Sequence, residues 1–563
     1  FPSLSHWGAF TAVVRGGRLI DCEPFAHDSA PSSILRSMPA MVHSPLRVSR
    51  PSVRAGWLRD RHLCDGNQRG SDGYVEVSWD EALALVNAEL QRVRTEHGSE
   101  AIFGGSYGWS SAGRLHHART QTHRFLNAGG GCTDQAGNYS WGTAQFLLPH
   151  VIGSYTPVTG RVTDWNSVVA HTRLLIAFGG MPLRNSQITS GGAGDHPLPG
   201  QLARAKAAGV ELVVVSPTRG DVPPDVDARW IPIRPNTDAA LMLAMLQVLI
   251  ADGIHDEAFL RTHCIGFGAL RDYLMGMADG VPKTPEWAEA ICDVSAETIR
   301  DLARQARHVR TLMTCAWSLQ RAHHGEQPYW ALWRLNGKNT DIWLPFDAFW
   351  STGYVDILEP VRPFVLFEEF RRDPEANPLC TPSGRIELFS EKIAGFGYSD
   401  CPAHPMWLPP AEWLGSPSAA SWPLHLLTPQ PAGKLHSQMD AGETSRALKI
   451  NGREALHISP TDASERCIGH HDLVKVYNGR GACLATAVID DDLKPGVVSL
   501  ATGAWFDAES ESLEVHGNPN VLTMDIGTSR LTQGSSAQSA LVEVARWSAT
   551  APAVQVLKPP TIV

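Results

Sequence analysis

The 563-residue chain lacks the short signatures that would name a common chemistry outright. Its ten cysteines stand at positions 22, 64, 132, 264, 292, 315, 380, 401, 467 and 483, and no two form the C-x-x-C pair that holds zinc or an iron–sulfur cluster. Scattered thiols of this kind are expected to be mostly buried and unpaired in a reducing compartment. No H-E-x-x-H, G-x-G-x-x-G or G-x-x-x-x-G-K-[ST] is present, so the standard zinc, dinucleotide and P-loop motifs are excluded. No stretch reaches the roughly 20 apolar residues that a membrane helix needs, so no membrane span is expected. Positive charge is also short. With 48 Lys and Arg against 58 Asp and Glu the net charge is -10, which argues against a nucleic-acid partner, because binding phosphates requires clustered cations. Phe1 opens no basic-then-apolar signal segment, which favours the cytoplasm and leaves the periplasm open if an N-terminal signal is missing.

What is present is an ordinary globular balance, 43% hydrophobic and 19% charged, in a chain long enough for two to four cores. Ser78 and Glu81 form an S-x-x-E capping box, and Leu83, Val86, Leu90 and Val93 follow at helical spacing up to His97-Gly98. Ala101 to Gly105 reads as a short buried strand, and Gly113 to Asn127 as a helix stopped by Gly129-Gly-Gly131. A strand at Leu174 to Phe178, a helix around Gln201 to Ala208 and a strand at Glu211 to Val215 make a strand–helix–strand unit, the mark of a doubly wound parallel sheet. Such sheets bind ligands beyond the carboxyl ends of their strands, where Gly179 to Asn185 and Ser216-Pro-Thr-Arg219 lie. Asn236-Thr-Asp238, opening a helix to Ala251, adds free backbone N–H groups and one acid. After about Ser416 short strands alternate with turns, as in Asp472 to Tyr477, Asn478-Gly479, Ala482 to Ile489 and Val497 to Ala501, so the C-terminal part is β-rich.

Several residues invite chemistry. The histidine pairs His116-His117, His323-His324 and His470-His471 are poor chelators, since adjacent helical side chains point about 100° apart. Ser140 sits in Gln135-Ala-Gly-Asn-Tyr-Ser-Trp-Gly-Thr-Ala-Gln145 without the G-x-S-x-G elbow and without a base or acid beside it, so it does not read as a hydrolase nucleophile. Tyr107, Trp109 and Ser140 come from two loops that could line a pocket, or they serve structure alone. Arg321 is either a solvated charge or a fixed cation.

At these residues the chain resembles the molybdopterin oxidoreductases of the dimethyl sulfoxide reductase family. The matches run in order along nearly its whole length: Ser5-His-Trp-Gly8, Gly105-Ser-Tyr-Gly-Trp109, Gly137-Asn-Tyr-Ser140, Pro235-Asn-Thr-Asp238, Gln320-Arg321, Gly325-Glu-Gln327, Leu435-His-Ser-Gln438, Asn518-Pro-Asn-Val-Leu-Thr523 and Ser529-Arg-Leu-Thr-Gln-Gly534. The resemblance implies a molybdenum ion held by two molybdopterin guanine dinucleotides, with Ser140 as the protein ligand through Oγ and no iron–sulfur cluster. It implies Tyr107 and Trp109 beside the metal, where phenol and indole N–H can hydrogen-bond the transferred oxygen, and Arg321 as a pocket cation near the substrate. The cofactor itself would be held by Trp109, Ser216, Pro217, Arg219, Thr237, Asp238, Gln320, His436, Ser437, Gln438, Asn520 and Gln533. The implied activity moves an oxygen atom from an S-oxide (of the biotin, methionine or dimethyl sulfoxide type) or an N-oxide, and two electrons and two protons release it as water. Tyr107 favours S-oxides. Electrons would come from a separate donor, a reduced nucleotide or a redox protein.

The implied architecture is α/β and multidomain: an N-terminal β-rich segment (1–70), an α/β unit carrying the metal-ligand loop (71–165), a Rossmann-like nucleotide-binding unit (166–333), a junction and linker segment (334–415) and a C-terminal β-barrel that binds cofactor (416–563). The chain departs from the family at one place. After Trp330 the family pattern resumes only near Leu344, so roughly two hundred residues are deleted relative to the usual length, and the 71–165 unit is left incomplete. Two readings follow: an oxygen-transfer enzyme that tolerates the deletion, or a non-catalytic remnant that binds a pterin nucleotide or a partner protein.

Overall fold

The computed structural model describes residues 1–68, 70, 72–105, 117–160, 162–332, 364–510 and 512–563. The chain opens with a three-stranded antiparallel sheet of β1 (Pro2–Ser5), β2 (Gly8–Arg15) and β3 (Arg18–Pro24). Helix α1 (Trp79–His97) begins where the capping box predicts it, with Ser78 Oγ accepting from Glu81 N at 3.2 Å. None of its residues is buried. Ala101–Gly105 departs from the expected buried strand. Among the described residues only Phe103 pairs, in a single bridge to Thr133, and its ring is exposed, because no described second strand lies alongside to complete a ladder. Helix α2 spans Ala118–Ala128 and ends at the glycines, as expected, while the reading's first residues, 113–116, fall outside the described ones.

The next layer is a parallel sheet of β4 (Leu174–Phe178), β5 (Glu211–Val215), β6 (Ala228–Ile231) and β7 (Thr311–Cys315), in the order β7-β4-β5-β6. Alternation along a strand sends neighbouring residues to opposite faces. Leu174, Ile176, Phe178, Val213 and Val215 pack against α5 (Asp238–Ala251) and α6 (Ala296–His308). Leu175, Ala177, Leu212 and Val214 face Leu202 and Ala205 of α4 (Leu198–Ala207). Both faces are therefore covered, which explains why β4 and β5 read as unbroken apolar runs.

A third core joins α3 (Gly142–Val151) to α7 (Glu326–Leu332), with Leu147, Leu148 and Val151 packed against Tyr329 and Trp330. The C-terminal part is a barrel. Strands β8 (Leu424–Leu427), β9 (Ala455–Ile458), β10 (Leu473–Tyr477), β11 (Ala482–Ile489), β12 (Val497–Leu500) and β15 (Ala540–Arg546) form a ring, β9-β12-β8-β15-β10-β11, closed by the pairing of β9 with β11. A small pair, β13 (Ala508–Ser510) and β14 (Leu513–Glu514), attaches to β11. The two long neighbours β10 and β11 bracket Asn478-Gly479, as the turn chemistry implies.

Candidate active site

The site is built outward from the turn that carries Ser140. Gly137 takes φ 79°, and a Cβ there would come within 2.7 Å of the Phe146 ring, so the turn needs glycine at that position. Asn138 pins the other side. Its Oδ1 accepts from Trp141 N and its Nδ2 donates to Gln145 Oε1, both at 2.8 Å. Arg321 Nε donates to Ser140 O at 2.8 Å, so this arginine is a fixed cation rather than a solvated charge. Ser140 Oγ makes no hydrogen bond among the described residues and remains available as an oxygen donor.

Helix α3 follows directly, and its first turn is locked from two directions. Gln320 receives Thr143 Oγ1 on its backbone oxygen at 3.0 Å and Ala144 N on Oε1 at 2.9 Å. From the C-terminal part, Thr528 Oγ1 lies 3.3 Å from Thr143 Oγ1, and a methyl on Gly534 would overlap Thr143. The same C-terminal segment holds the 236–238 corner, where Asn236 Nδ2 donates to Gln538 O and Ser539 Oγ at 2.9 Å, and Gln538 N donates to Arg321 O. Ser140, Gln320, Arg321 and the Asn236–Asp238 corner are thereby joined in one network.

Asp238 is the first residue of α5 and is buried. Among the described residues its carboxyl is bonded only by its own backbone N–H, and burial pushes its pKa up to about 7. A narrow cavity of about 20 Å³ lies beside it, lined also by Asn236, His323, His324 and Gln327. His323 and His324 stack there at 3.9 Å, and burial together with its neighbour's charge lowers His324 to about 4. Thr237 is committed elsewhere, its hydroxyl donating to Arg234 O at 2.6 Å.

His436, Ser437 and Gln438 are exposed on a tight loop of the C-terminal part. Surrounding protein nevertheless lowers the His436 pKa by desolvation, and the Arg321 charge lowers it further. Arg321, which grips the Ser140 turn, is thus close enough to His436 for its charge to act there. The side chains of Ser437, Gln438 and Asn520 make no hydrogen bond among the described residues. Gln533 is partly spent, since its Nε2 donates to Ser529 O at 3.0 Å.

The turn at 216–219 is committed differently from its sequence expectation. Ser216 is buried, its hydroxyl donates to Asp221 Oδ2 at 2.5 Å, and it also accepts from Thr218 N. Pro217 O and Arg219 N bond the loop after β11, to Lys494 N and Asp492 O, while the Arg219 guanidinium stacks over Trp230 at 4.9 Å. Tyr107 and Trp109 lie outside the described residues. Sequence reasoning missed Asn138, whose partners are three and seven positions away, and Thr143 and Thr528, which meet across 385 positions. The N-x-x-[W] spacing of an Asx-type turn was the only local signal, and Asn138 alone carried it.

An uncommitted serine hydroxyl on a rigid turn, a buried carboxyl bonded only by its own backbone N–H among the described residues and a loop of unspent polar side chains suit a large polar cofactor with a metal at one end. Family models agree. Residues 47–349 match the molybdopterin oxidoreductase model, residues 424–541 the molydopterin dinucleotide binding domain and residues 3–43 the molybdopterin oxidoreductase N-terminal domain. The chain belongs to the molybdopterin oxidoreductase family. Its cofactor is accordingly a molybdenum molybdopterin dinucleotide. Among the relatives of this oxidoreductase is the biotin sulfoxide reductase of Cereibacter sphaeroides, 34% identical over 93% of this chain and 96% of the relative. The dimethyl sulfoxide/trimethylamine N-oxide reductase of the same organism is 29% identical over 99% and 93%. Among solved structures, acetylene hydratase from Pelobacter acetylenicus has a TM-score of 0.65 at 15% identity, covering 96% of this chain and 98% of that one, a likeness of fold. The 721 residues aligned with the biotin sulfoxide reductase outnumber the 563 of this oxidoreductase, so the match is interrupted by residues that this chain lacks. Nothing in these comparisons supports a non-catalytic remnant. No helix among the described residues is long and apolar enough to cross a membrane.

Proposed function

We propose that this oxidoreductase reduces S-oxides, and N-oxides less readily, by taking their oxygen atom at a molybdenum centre that carries two molybdopterin guanine dinucleotides. The observation that carries the reading is the 34% identity to a biotin sulfoxide reductase over 93% of the chain. The uncommitted Ser140 Oγ on its pinned turn supports it. Bound at Ser140, the cofactor supplies a two-electron metal able to accept an oxygen atom.

The chain's own part is to hold and orient. Arg321 and Asn138 fix the Ser140 turn, so the hydroxyl is aimed before anything binds. Arg321 also keeps a positive charge beside the site, which favours the oxygen end of a polar S–O or N–O bond over its sulfur or nitrogen end. Tyr107 and Trp109 are assigned as hydrogen-bond donors to the transferred oxygen, and the two protons that release it as water pass through this polar pocket. Asp238 is suited to the amide and amino N–H groups of a guanine, because a buried carboxyl with only one local donor gains from more. His436, Ser437, Gln438, Asn520 and Gln533 would hold pterin and phosphate groups, with Gln320 bracing the turn from behind. We assign no iron–sulfur cluster, and the electrons to a reduced nucleotide or a redox protein. The interruption relative to the relatives we assign to the passage between Trp330 and Leu344.

Metal and pterin analysis of the purified chain tests this directly. About one molybdenum and two pterins per chain are expected, with turnover of dimethyl or biotin sulfoxide under a reduced dye. A metal-free chain that stays inert after cofactor loading would sink the reading.

A further inference from the structure

The loop that carries His436, Ser437 and Gln438 doubles back on itself, with Gln438 N donating to Leu435 O at 2.8 Å and Leu435 N to Gln438 O at 3.3 Å. His436 and Met439 take φ of 49° and 67°, a left-handed backbone that costs a non-glycine residue on the order of 1 kcal/mol each. Gly503, at φ 94°, passes so close to His436 O that a Cβ there would overlap it. Such a shape persists only where its surroundings enforce it.

Four buried charges lie at its base. The side chains of Lys434, Asp440, Lys449 and Glu454 are 1%, 0%, 1% and 7% exposed. Lys434 Nζ donates to Asp440 Oδ1 at 2.6 Å and to Glu454 Oε1 at 2.5 Å, and Lys449 Nζ donates to Asp440 Oδ1 at 2.8 Å and also to Glu454 Oε1. Each cation touches both anions, and the net charge is zero. Asp440 extends the arrangement, accepting Trp505 N on Oδ2 at 2.9 Å, while the Trp505 indole donates to Ser437 O at 2.7 Å. Burying four charges gains little stability over apolar residues of the same volume, so such a cluster is better explained by the single geometry it imposes. Lys434 and Asp440 flank the loop on either side, and their ion pair closes it.

We propose that the Lys434–Asp440–Lys449–Glu454 quartet is a positioning device that clasps both ends of the 435–438 loop and presents His436, Ser437 and Gln438, already shaped, to the cofactor. The cofactor half of this statement rests on the function proposed above; the clasp itself does not. Lys434 and Asp440 are the closing pair, and Lys449 and Glu454 brace it from outside the loop.

Two double variants of the full chain separate these roles. Lys434→Met with Asp440→Asn opens the clasp, whereas Lys449→Met with Glu454→Gln removes the same number of charges and leaves it closed. In the cofactor-free protein, the amides of residues 435–438 are expected to exchange roughly tenfold faster or more in the first variant and within about twofold of wild type in the second. Barrel-strand exchange should be alike in both. Lys434→Arg with Asp440→Glu should restore slow exchange. If the first double does not fold, Asp440→Asn and Glu454→Gln alone, each leaving one excess buried cation, make the same comparison. Equal loosening in both variants, or none in either, overturns the clasp. Fast exchange with undiminished molybdenum and pterin content would leave the clasp standing and overturn the cofactor role of the loop.

Discussion

Helix α1 and the C-terminal barrel invert the usual relation between local signal and burial. Helix α1 has a capping box, acids in its first turn, basic residues in its last and four apolar residues at helical spacing, yet none of its 19 residues is buried. Trp79, Leu83 and Val86 are 71%, 60% and 52% exposed. The six ring strands of the barrel are only four to eight residues long, and their inward residues, from Leu424 to Val544, are buried almost without exception. Local chemistry is thus enough to make a helix, while burial needs a partner surface. A bare apolar face marks a place where a partner surface could sit. The candidate site joins Ser140, on the turn before the well-buried α3, to the loops 435–438 and 528–534 of the barrel side.

The largest effect expected from breaking this arrangement is on activity. Ser140→Ala should lower turnover by more than about a hundredfold, since outer-shell changes at metal sites already cost 10–100-fold. Its melting temperature should stay near wild type, because the hydroxyl holds nothing in the fold; both are read from steady-state rates and a thermal melt. In the barrel, Leu426→Ala removes a fully buried side chain and should cost about 2–5 kcal/mol in denaturant unfolding.

A smaller effect, of opposite sign, is expected at Asp238. Its folded pKa of about 7 exceeds the unfolded value near 3.9, so the folded state holds the proton more tightly. Stability is then greatest below pH 4 and falls as pH rises through 7. Asp238→Asn should remove that loss and raise the melting temperature of the cofactor-free chain above pH 7, while lowering its cofactor content, the trade expected of a binding residue. A melt that shifts equally at pH 5 and pH 8 would contradict it. Smallest is Leu83→Ala on α1, expected within about 0.5 kcal/mol of wild type. A loss like that of Leu426→Ala would mean that the face is covered in solution and would dissolve the comparison.

Much of the fold was legible along the chain. Strands Leu174–Phe178, Glu211–Val215 and Ala482–Ile489 have the bounds that apolar runs and turn residues mark, because those signals are local. The strand expected at Ala101–Gly105 failed for the opposite reason: an apolar pentapeptide becomes a strand only beside another, and among the described residues it pairs with Thr133 alone. The site was legible in its residue types and not in their commitments. Ser216 and Ser140 look alike as serines in turns, but Ser216 spends its hydroxyl on Asp221 and Ser140 does not.

The sequence by itself determined the family, the place of Ser140 as the proposed oxygen ligand and the absence of a C-x-x-C cluster motif, since each is a matter of residue type and order. Only the tertiary structure decided that Arg321 grips the Ser140 turn, that the buried Asp238 carboxyl has only its own backbone N–H among the described residues and that four buried charges meet at the base of the 435–438 loop. These depend on dielectric and distance, and a chain has neither until it folds.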